Sequence, residues 1–464
     1  MTKVTKMTKK ARLRELSDLT LPLLVEQSFI VLMGMVNTAM VASLGAEALG
    51  AAGHINNTVH LAIGLFSAMT TGGTIVVSQA IGARDRSRAA SAGGQAVTTT
   101  VAFSVLLTAL MAIFQYPLIN ALFSGSDPVM IEAGLVYFVY INISLPVLAI
   151  TQTFFGVMRG AGDTKSPMKI SLFMNIINVI LGYLLIIGLQ IPFTPINIPS
   201  MGMHGAGLAL LLARVAGMIY ALWAITSKKS VIRLNKLSLY KPTLDIQKAI
   251  LYLGVPTGIE STMFHAGRTI TQMFIVGMGT AAMAANTVAS TISGLVMVPG
   301  NAIAIGIMVL VGQRVGRREI DDIPNATFFA LVVSSVFIGM LCLMLLPFMD
   351  ILAVGYNLYG QEVIYFRQLM ISFLLMAPLF WGVSFLIPSA LRAAKDVHYT
   401  MISAIITMWL CRIVMGYVLG VLLGWGVLGV WVGMYSDWVA RGLLYGIRLK
   451  RKRWMKKLVK EQEI

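Results

Sequence analysis

The chain has 464 residues, of which 57% are hydrophobic and 12% charged, and its mean hydropathy is +0.81. Soluble domains carry roughly a quarter charged residues, so an ordinary water-soluble globule is excluded. The net charge of +17 would suit a nucleic-acid binder, and only the positions of the basic residues along the chain decide against that.

In chain order, the basic opening MTKVTKMTKKARLREL runs into an apolar stretch from Leu16 to Leu44, too long for the core of a secretory signal and read as a retained first helix. Further apolar runs follow along the whole length, among them Val101 to Phe114, Ile170 to Leu189, Ala330 to Leu346 and Met401 to Val421. Most approach the roughly 20 residues that span a bilayer, and about twelve spans are expected. Pro146 and Pro378 are expected to interrupt the fourth and tenth helices. Cys342 and Cys411 lie inside apolar runs without ligand spacing and are read as packing residues.

Basic clusters fall at every second junction: the N-terminus, Arg84/Arg86/Arg88, Arg159/Lys165/Lys169, Lys228 to Lys241, Arg314/Arg317/Arg318, Arg392/Lys395 and Arg448 to Lys460. The junctions between them, around Ala46, Ser124 to Pro128, Gln190 to Ser200, Thr280, Tyr356 to Gln361 and Trp425, lack Lys and Arg. This alternation is the positive-inside pattern and puts both termini and the central loop in the cytoplasm. The charge is a topology signal, and no nucleic-acid partner is expected.

The chain repeats itself. LPLLVEQS at its start faces VPTGIEST after the central loop, so that Pro22 and Pro256, and Glu26 and Glu260, stand 234 residues apart. Gly45 and Gly279, and Gln79 and Gln313, keep the interval, and Arg159 and Arg392 shift it to 233. The reading is a duplicated all-α membrane bundle: residues 1–227 form an N-terminal six-helix lobe, 228–248 a cytoplasmic linker, and 249–464 a C-terminal six-helix lobe with a basic tail. Six helices return the chain to its starting side, so the halves share an orientation, and the cleft between such lobes is the expected substrate site.

No P-loop, zinc-protease, nucleophile-elbow or Cys/His motif occurs, so neither an enzyme nor a cofactor is expected, and no metal site is certain. Ionisable residues inside spans are costly and point to function. Glu26 lies one turn after Pro22, and a carboxylate beside a freed carbonyl can hold a proton or sodium ion. Asn37 extends its face three turns on, and in the second half Glu260, Gly267 and Thr271 form the matching stripe, with His265 and Arg268 on the same helix. We take Glu260, Glu26, Asn37 and His265 as cation-coupling candidates, with a possible sodium near Glu260. Arg268, Thr271, Gln27, Gln272 and Asn178 are candidates for the substrate cavity or as charge partners. Arg268 stands too far along its helix from Glu260 for direct contact, so an acid on another helix is expected to hold it. Asp437 and Arg441, four apart, are expected to neutralise each other.

The P-x-x-x-E start of the first helix, S-L-G-A-E-A-L-G-A-A-G after it, S-Q-A-I-G-A-R-D, R-G-A-G-D-T-K-S-P and G-T-A-A-M-A-A-N-T-V-A, in this order on a duplicated frame, resemble the multidrug and toxic compound extrusion (MATE) transporters of the multidrug/oligosaccharidyl-lipid/polysaccharide flippase superfamily. The resemblance implies a V-shaped pair of six-helix lobes in the cytoplasmic membrane. It also implies the export of small organic, often cationic compounds in exchange for H⁺ or Na⁺, and a monomer is expected. It makes Glu260 the seventh-helix acid. Where many relatives carry an aspartate in V-D-T this chain has Asn37, an amide that cannot exchange a proton, and Met370 to Ala390 holds no acid. A flippase for a lipid-linked glycan or other amphipathic anion is the alternative, and it requires Arg268, Arg214 and Arg412 to face a cavity. A membrane enzyme or scaffold has no supporting motif.

Overall fold

The computed structural model describes residues 9–124, 127–190, 197–452, 454, 455 and 458. The first eight residues of the basic opening, and parts of the expected junctions at Ser124 to Pro128 and Gln190 to Ser200 and of the basic tail, lie outside them.

The first half contains α1 (Lys9–Ala42), α2 (Ala46–Gly82), α3 (Arg86–Ile113), the short α4 (Gln115–Leu122), α5 (Pro128–Gly160), α6 (Lys165–Gly182) and α7 (Gly202–Thr226). The second half contains α8 (Leu244–Val276), α9 (Thr280–Val296), α10 (Val298–Gly316), α11 (Ile323–Leu345) and the short α12 (Met349–Gly355). After these come α13 (Gln361–Met376), α14 (Gly382–Ala393), α15 (Val397–Thr407), a three-residue α16 (Met415–Tyr417) and α17 (Gly426–Lys450). A two-residue pairing of Leu189–Gln190 with Asn197–Ile198 is the extended structure among the described residues.

Among the described residues ten helices are long and apolar enough to cross a membrane. Two more, α8 and α17, have 33 and 25 residues and carry the polar positions Glu260, His265, Arg268, Asp437 and Arg441, which lower their hydropathy. Counted with the ten, they match the expectation of about twelve long helices. Large side chains such as Ile113, Leu343, Leu375 and Leu379 stand exposed on the helices, as lipid-facing residues do and as those of a soluble core do not.

The duplication extends to the backbone. Gly45 and Gly279, which begin the second helix of each half, have φ of 114° and 102°, Arg84 and Arg318 have 61° and 63°, and Gly162 and Lys395 have 90° and 63°. These are left-handed turns that glycine tolerates and other residues adopt only at fixed corners. The copies diverge where α2 runs unbroken over 37 residues and its counterpart divides at Met297 into α9 and α10. Pro299 lies at the start of α10, a position where its missing N–H breaks no helical bond. The two expected prolines also differ. Pro378 opens a π-helical segment, Ala377–Trp381, whereas Pro146 sits within a continuous α5 that packs along α3 and α7.

The chain forms two compact units, drawn differently from the sequence bounds. One comprises Val25–Ile81 and Asp85–Gly258, and the other Met1–Leu24, Gly82–Arg84 and Ile259–Ile464. Each half's first helix is thus shared, and the divisions, after Leu24 and after Gly258, again stand 234 residues apart. The reason lies in the packing of the helix starts. In α1, Glu15 accepts from Arg314 at 2.8 Å, and Arg314 and Arg12 both reach Asp322. In the other unit, Thr243 and Gln247, at the approach to α8, hydrogen-bond Gln95 and Thr99 of α3 at 2.9 and 2.6 Å. The linker turn Leu237–Tyr240 lies against α3 as well, with Thr98 donating to the Tyr240 carbonyl at 2.8 Å.

Within the first unit α5, α6, α7 and α3 pack around Ile55, Phe66, Phe138 and Leu145. In the second, α9, α13, α14 and α17 enclose Phe366, Phe373, Trp431 and Trp438, while Leu16 of α1 joins a further cluster around Ile307, Leu310 and Tyr445. Both cysteines are free thiols, Cys342 buried in this core and Cys411 half-buried.

Candidate functional site

A buried carboxylate needs a partner, and both glutamates have one from an equivalent position. Arg159, near the end of α5, donates through Nη2 to Oε1 of Glu26. In the other half Arg392, near the end of α14, donates through Nη1 to Oε2 of Glu260 at 3.3 Å and through Nη2 to Ser389 at 3.1 Å. The pairs differ in access. The Glu26 side chain is 0% exposed and that of Glu260 13%, so only the second carboxylate is open to an incoming ion. Arg159 and Arg392 stood in the sequence only as repeat markers and members of basic clusters, and nothing there indicated that they pair with the two glutamates.

Asp437 and Arg441 pair as expected, one guanidinium nitrogen donating to both carboxylate oxygens at 2.9 Å, fully buried. Arg214 is buried in the first unit and donates to Ser144 Oγ. Arg268 departs from expectation. Its side chain is exposed, no acid among the described residues holds it, and it lines a cavity.

That cavity, about 350 Å³, lies wholly within the second unit, among α8, α9, α10, α13, α14, α17 and the π-helical segments Ala377–Trp381 and Met408–Val414. Six aromatic side chains wall it: Phe264, Phe373, Trp381, Phe385, Trp431 and Trp438. Trp381 stacks on Phe385 with ring centres 5.2 Å apart, and Phe385 meets Trp438 edge-on at 6.1 Å. Gly300 makes room for this wall, because a Cβ there would lie 2.2 Å from the Trp381 ring. The polar lining includes Arg268, Arg412, Thr271, Gln272, Asn286 and Ser293. Trp431 Nε1 donates to Asn286 Oδ1 at 2.9 Å, and Asn286 Nδ2 donates to Gln272 Oε1 at 3.0 Å. This relay fixes both amides and turns the Gln272 amide nitrogen toward bonding elsewhere.

The structure therefore brings Arg268, Thr271 and Gln272 together in one cavity and places Glu260 earlier on the same helix with Arg392. His265 is half-buried beside Phe264, with ring centres 6.2 Å apart, and does not line the cavity. Asn37 and Asn178 meet in the first unit at a void of about 10 Å³, room for one water, where Asn178 Oδ1 is buried without a partner. Gln27 is half-buried next to Glu26. The aromatic wall was missed in the sequence. Its only local signals are the i, i+4 pair Trp381/Phe385 and the seven-residue step from Trp431 to Trp438.

Comparison with known proteins gives the same picture. A family model described as MatE matches the chain twice, over residues 22–184 and 256–418. The chain is 25% identical to "Uncharacterized transporter YisQ" of Bacillus subtilis over 446 residues, 95% of each chain. It is 26% identical to "Probable multidrug resistance protein NorM" of Thermotoga maritima over 450 residues, 97% of this chain and 95% of the relative. A crystal structure of MATE in the bent conformation superposes with a TM-score of 0.83 at 19% identity, covering 97% of both chains. A MOP superfamily transporter from Pyrococcus furiosus superposes at 0.81 and 20%, covering 96% of this chain and 99% of the other. Repeated helices, repeated motifs and repeated matches agree, and the chain belongs to the MatE family of membrane transporters, the multidrug and toxic compound extrusion proteins.

Proposed function

We propose that this protein is a secondary active multidrug exporter of the cytoplasmic membrane that moves organic compounds outward by alternating access in exchange for H⁺ or Na⁺. Both termini and the central linker face the cytoplasm, in keeping with the alternating basic junctions. Relatives named as probable multidrug resistance proteins along nearly the whole chain support the export reading. The observation that carries the coupling is the partly open Glu260–Arg392 pair.

A carboxylate bound to a guanidinium is already neutralised and has no need of a cation. If Arg392 withdraws in one conformation, Glu260 must take up a proton or sodium ion in its place, because a bare charge at that depth is costly. Cation and Arg392 then compete for one carboxylate, and the exchange ties ion binding to conformation. Glu26, sealed against Arg159, serves the first unit as a fixed structural pair. His265, five residues after Glu260 on α8, and Asn37 and Gln27 in the first unit serve, in this reading, as polar surroundings. The test is uptake of a dye such as ethidium by purified protein in liposomes, with a pH gradient and a sodium gradient imposed separately. Movement under neither gradient sinks the exchange mechanism. A second reading, a flippase for a lipid-linked glycan or another amphipathic anion, is favoured by Arg268 and Arg412 in the lining of the second unit's cavity.

A further inference from the structure

Resting on the export reading, we infer that the second unit's cavity is a binding subsite for an aromatic organic anion, an aryl carboxylate or sulfonate, rather than for an organic cation. Charge comes first. Two guanidiniums border the cavity, and among the described residues no carboxylate does. The acids nearby on the same elements are taken: Asp437 by Arg441 through both oxygens, and Glu260 by Arg392. Arg268 and Arg412 therefore remain as uncompensated positive charge, and an entering cation would meet repulsion with nothing to oppose it.

The hydrogen-bonding inventory points the same way. Arg412 is 6% exposed, its guanidinium lies 5.1 Å over the Phe264 ring, and its Nη1 is buried with no partner. Trp438 Nε1, which can only donate, and Ser293 Oγ are likewise buried at the cavity and unpartnered. A buried donor left unsatisfied is costly, and an acceptor-rich anion relieves that cost for whichever of these side chains turns toward the cavity. The Gln272 amide nitrogen adds a donor whose orientation Asn286 has fixed. The ring walls supply the apolar half of the recognition. A cavity of about 350 Å³ lies at the lower end of the range that takes drug-sized ligands, and its stacked and edge-on rings accommodate a planar arene.

The experiment compares two isosteres of opposite charge, naphthoate and naphthylmethylammonium, binding to the full-length protein in lipid nanodiscs with no gradient, followed by calorimetry. Naphthoate is expected to bind about tenfold more tightly or better, the worth of one charge-assisted hydrogen bond. Arg268→Gln and Arg412→Gln are each expected to cost naphthoate about tenfold and to leave the ammonium ion no weaker, whereas Arg268→Lys keeps the preference. If Arg412→Gln fails to fold, the Arg268 pair of variants and the wild-type comparison still decide. Equal binding of the two isosteres, or preference for the ammonium ion, overturns the inference. Inorganic pyrophosphate binding as tightly as naphthoate overturns its aromatic half. Because no gradient enters, a protein that binds naphthoate but moves nothing in liposomes keeps the subsite and loses the export reading. A protein that pumps ethidium without preferring naphthoate does the reverse.

Discussion

Arg392 holds Glu260 at 3.3 Å in a pair that stays partly exposed, while its counterpart Arg159 holds a Glu26 that is sealed completely. The same side chains at equivalent positions thus sit in unlike surroundings, and unlike behaviour on substitution follows.

Glu260→Gln is expected to fold and to bind substrate while losing gradient-driven efflux, because an amide neither releases a proton nor competes for Arg392 as a carboxylate does. Glu26→Gln is expected to act on stability, since it strands the Arg159 guanidinium, and breaking such a buried pair costs about 3–5 kcal/mol. Thermal denaturation in detergent and ethidium efflux from energised vesicles separate the two. A Glu26→Gln protein as stable as wild type but inactive in efflux would move the coupling to the first half.

Gly300→Ala is expected to disturb the aromatic wall. A methyl group 2.2 Å from the Trp381 ring cannot be accommodated in place, and the rigid indole has to leave its stack on Phe385. Overpacking of this kind costs about 1–3 kcal/mol. A lower melting temperature and a changed tryptophan emission are the readouts, and an unchanged emission would show that the backbone, not Trp381, gives way.

The orientation is open to labelling. Lys229→Cys in the linker should resist a membrane-impermeant thiol reagent in intact cells, whereas Tyr359→Cys, 70% exposed before α13, should react. The opposite pattern would invert the topology.

Export driven by one inward cation gives substrates of different charge different electrical signatures. A monovalent cation exchanged for one proton moves no net charge, and each pH unit then supplies about 1.4 kcal/mol. An aromatic anion leaving against one entering cation moves two charges, worth about 4.6 kcal/mol per 100 mV. A potassium diffusion potential of inside-negative sign should therefore accelerate naphthoate export and leave ethidium export unmoved at fixed pH and sodium. Equal response of both substrates contradicts the one-cation exchange.

Much of this architecture was legible in the sequence, because duplication leaves an interval that can be measured. Pro22 and Pro256 fixed the register; the left-handed corners at Arg84 and Arg318 and the two ion pairs keep it in the structure, but no residue pattern announced either. The Asp437–Arg441 pair was readable because four residues make one helical turn. The cavity was not, since its walls come from helices distant in the chain and only tertiary packing brings Phe264, Trp381, Arg412 and Trp438 to one place. Arg268 misled for a related reason. A guanidinium in an apolar run suggests a missing acid, and here it borders a cavity instead.

The sharing of the first helix between units has a consequence for synthesis. Residues through Leu24 belong with a unit whose main body begins at Ile259, 235 residues later. A ribosome adding about 5–20 residues per second takes roughly 10–50 s to make that stretch. Throughout that interval Arg12 and Glu15 emerge with neither Asp322 nor Arg314 yet made. The start of α1 must wait, its charges at the membrane surface, and it locks only when the second half arrives. Truncations that end within the second half should therefore strand the first helix as well, and the two halves produced as separate chains should each be incomplete until they meet.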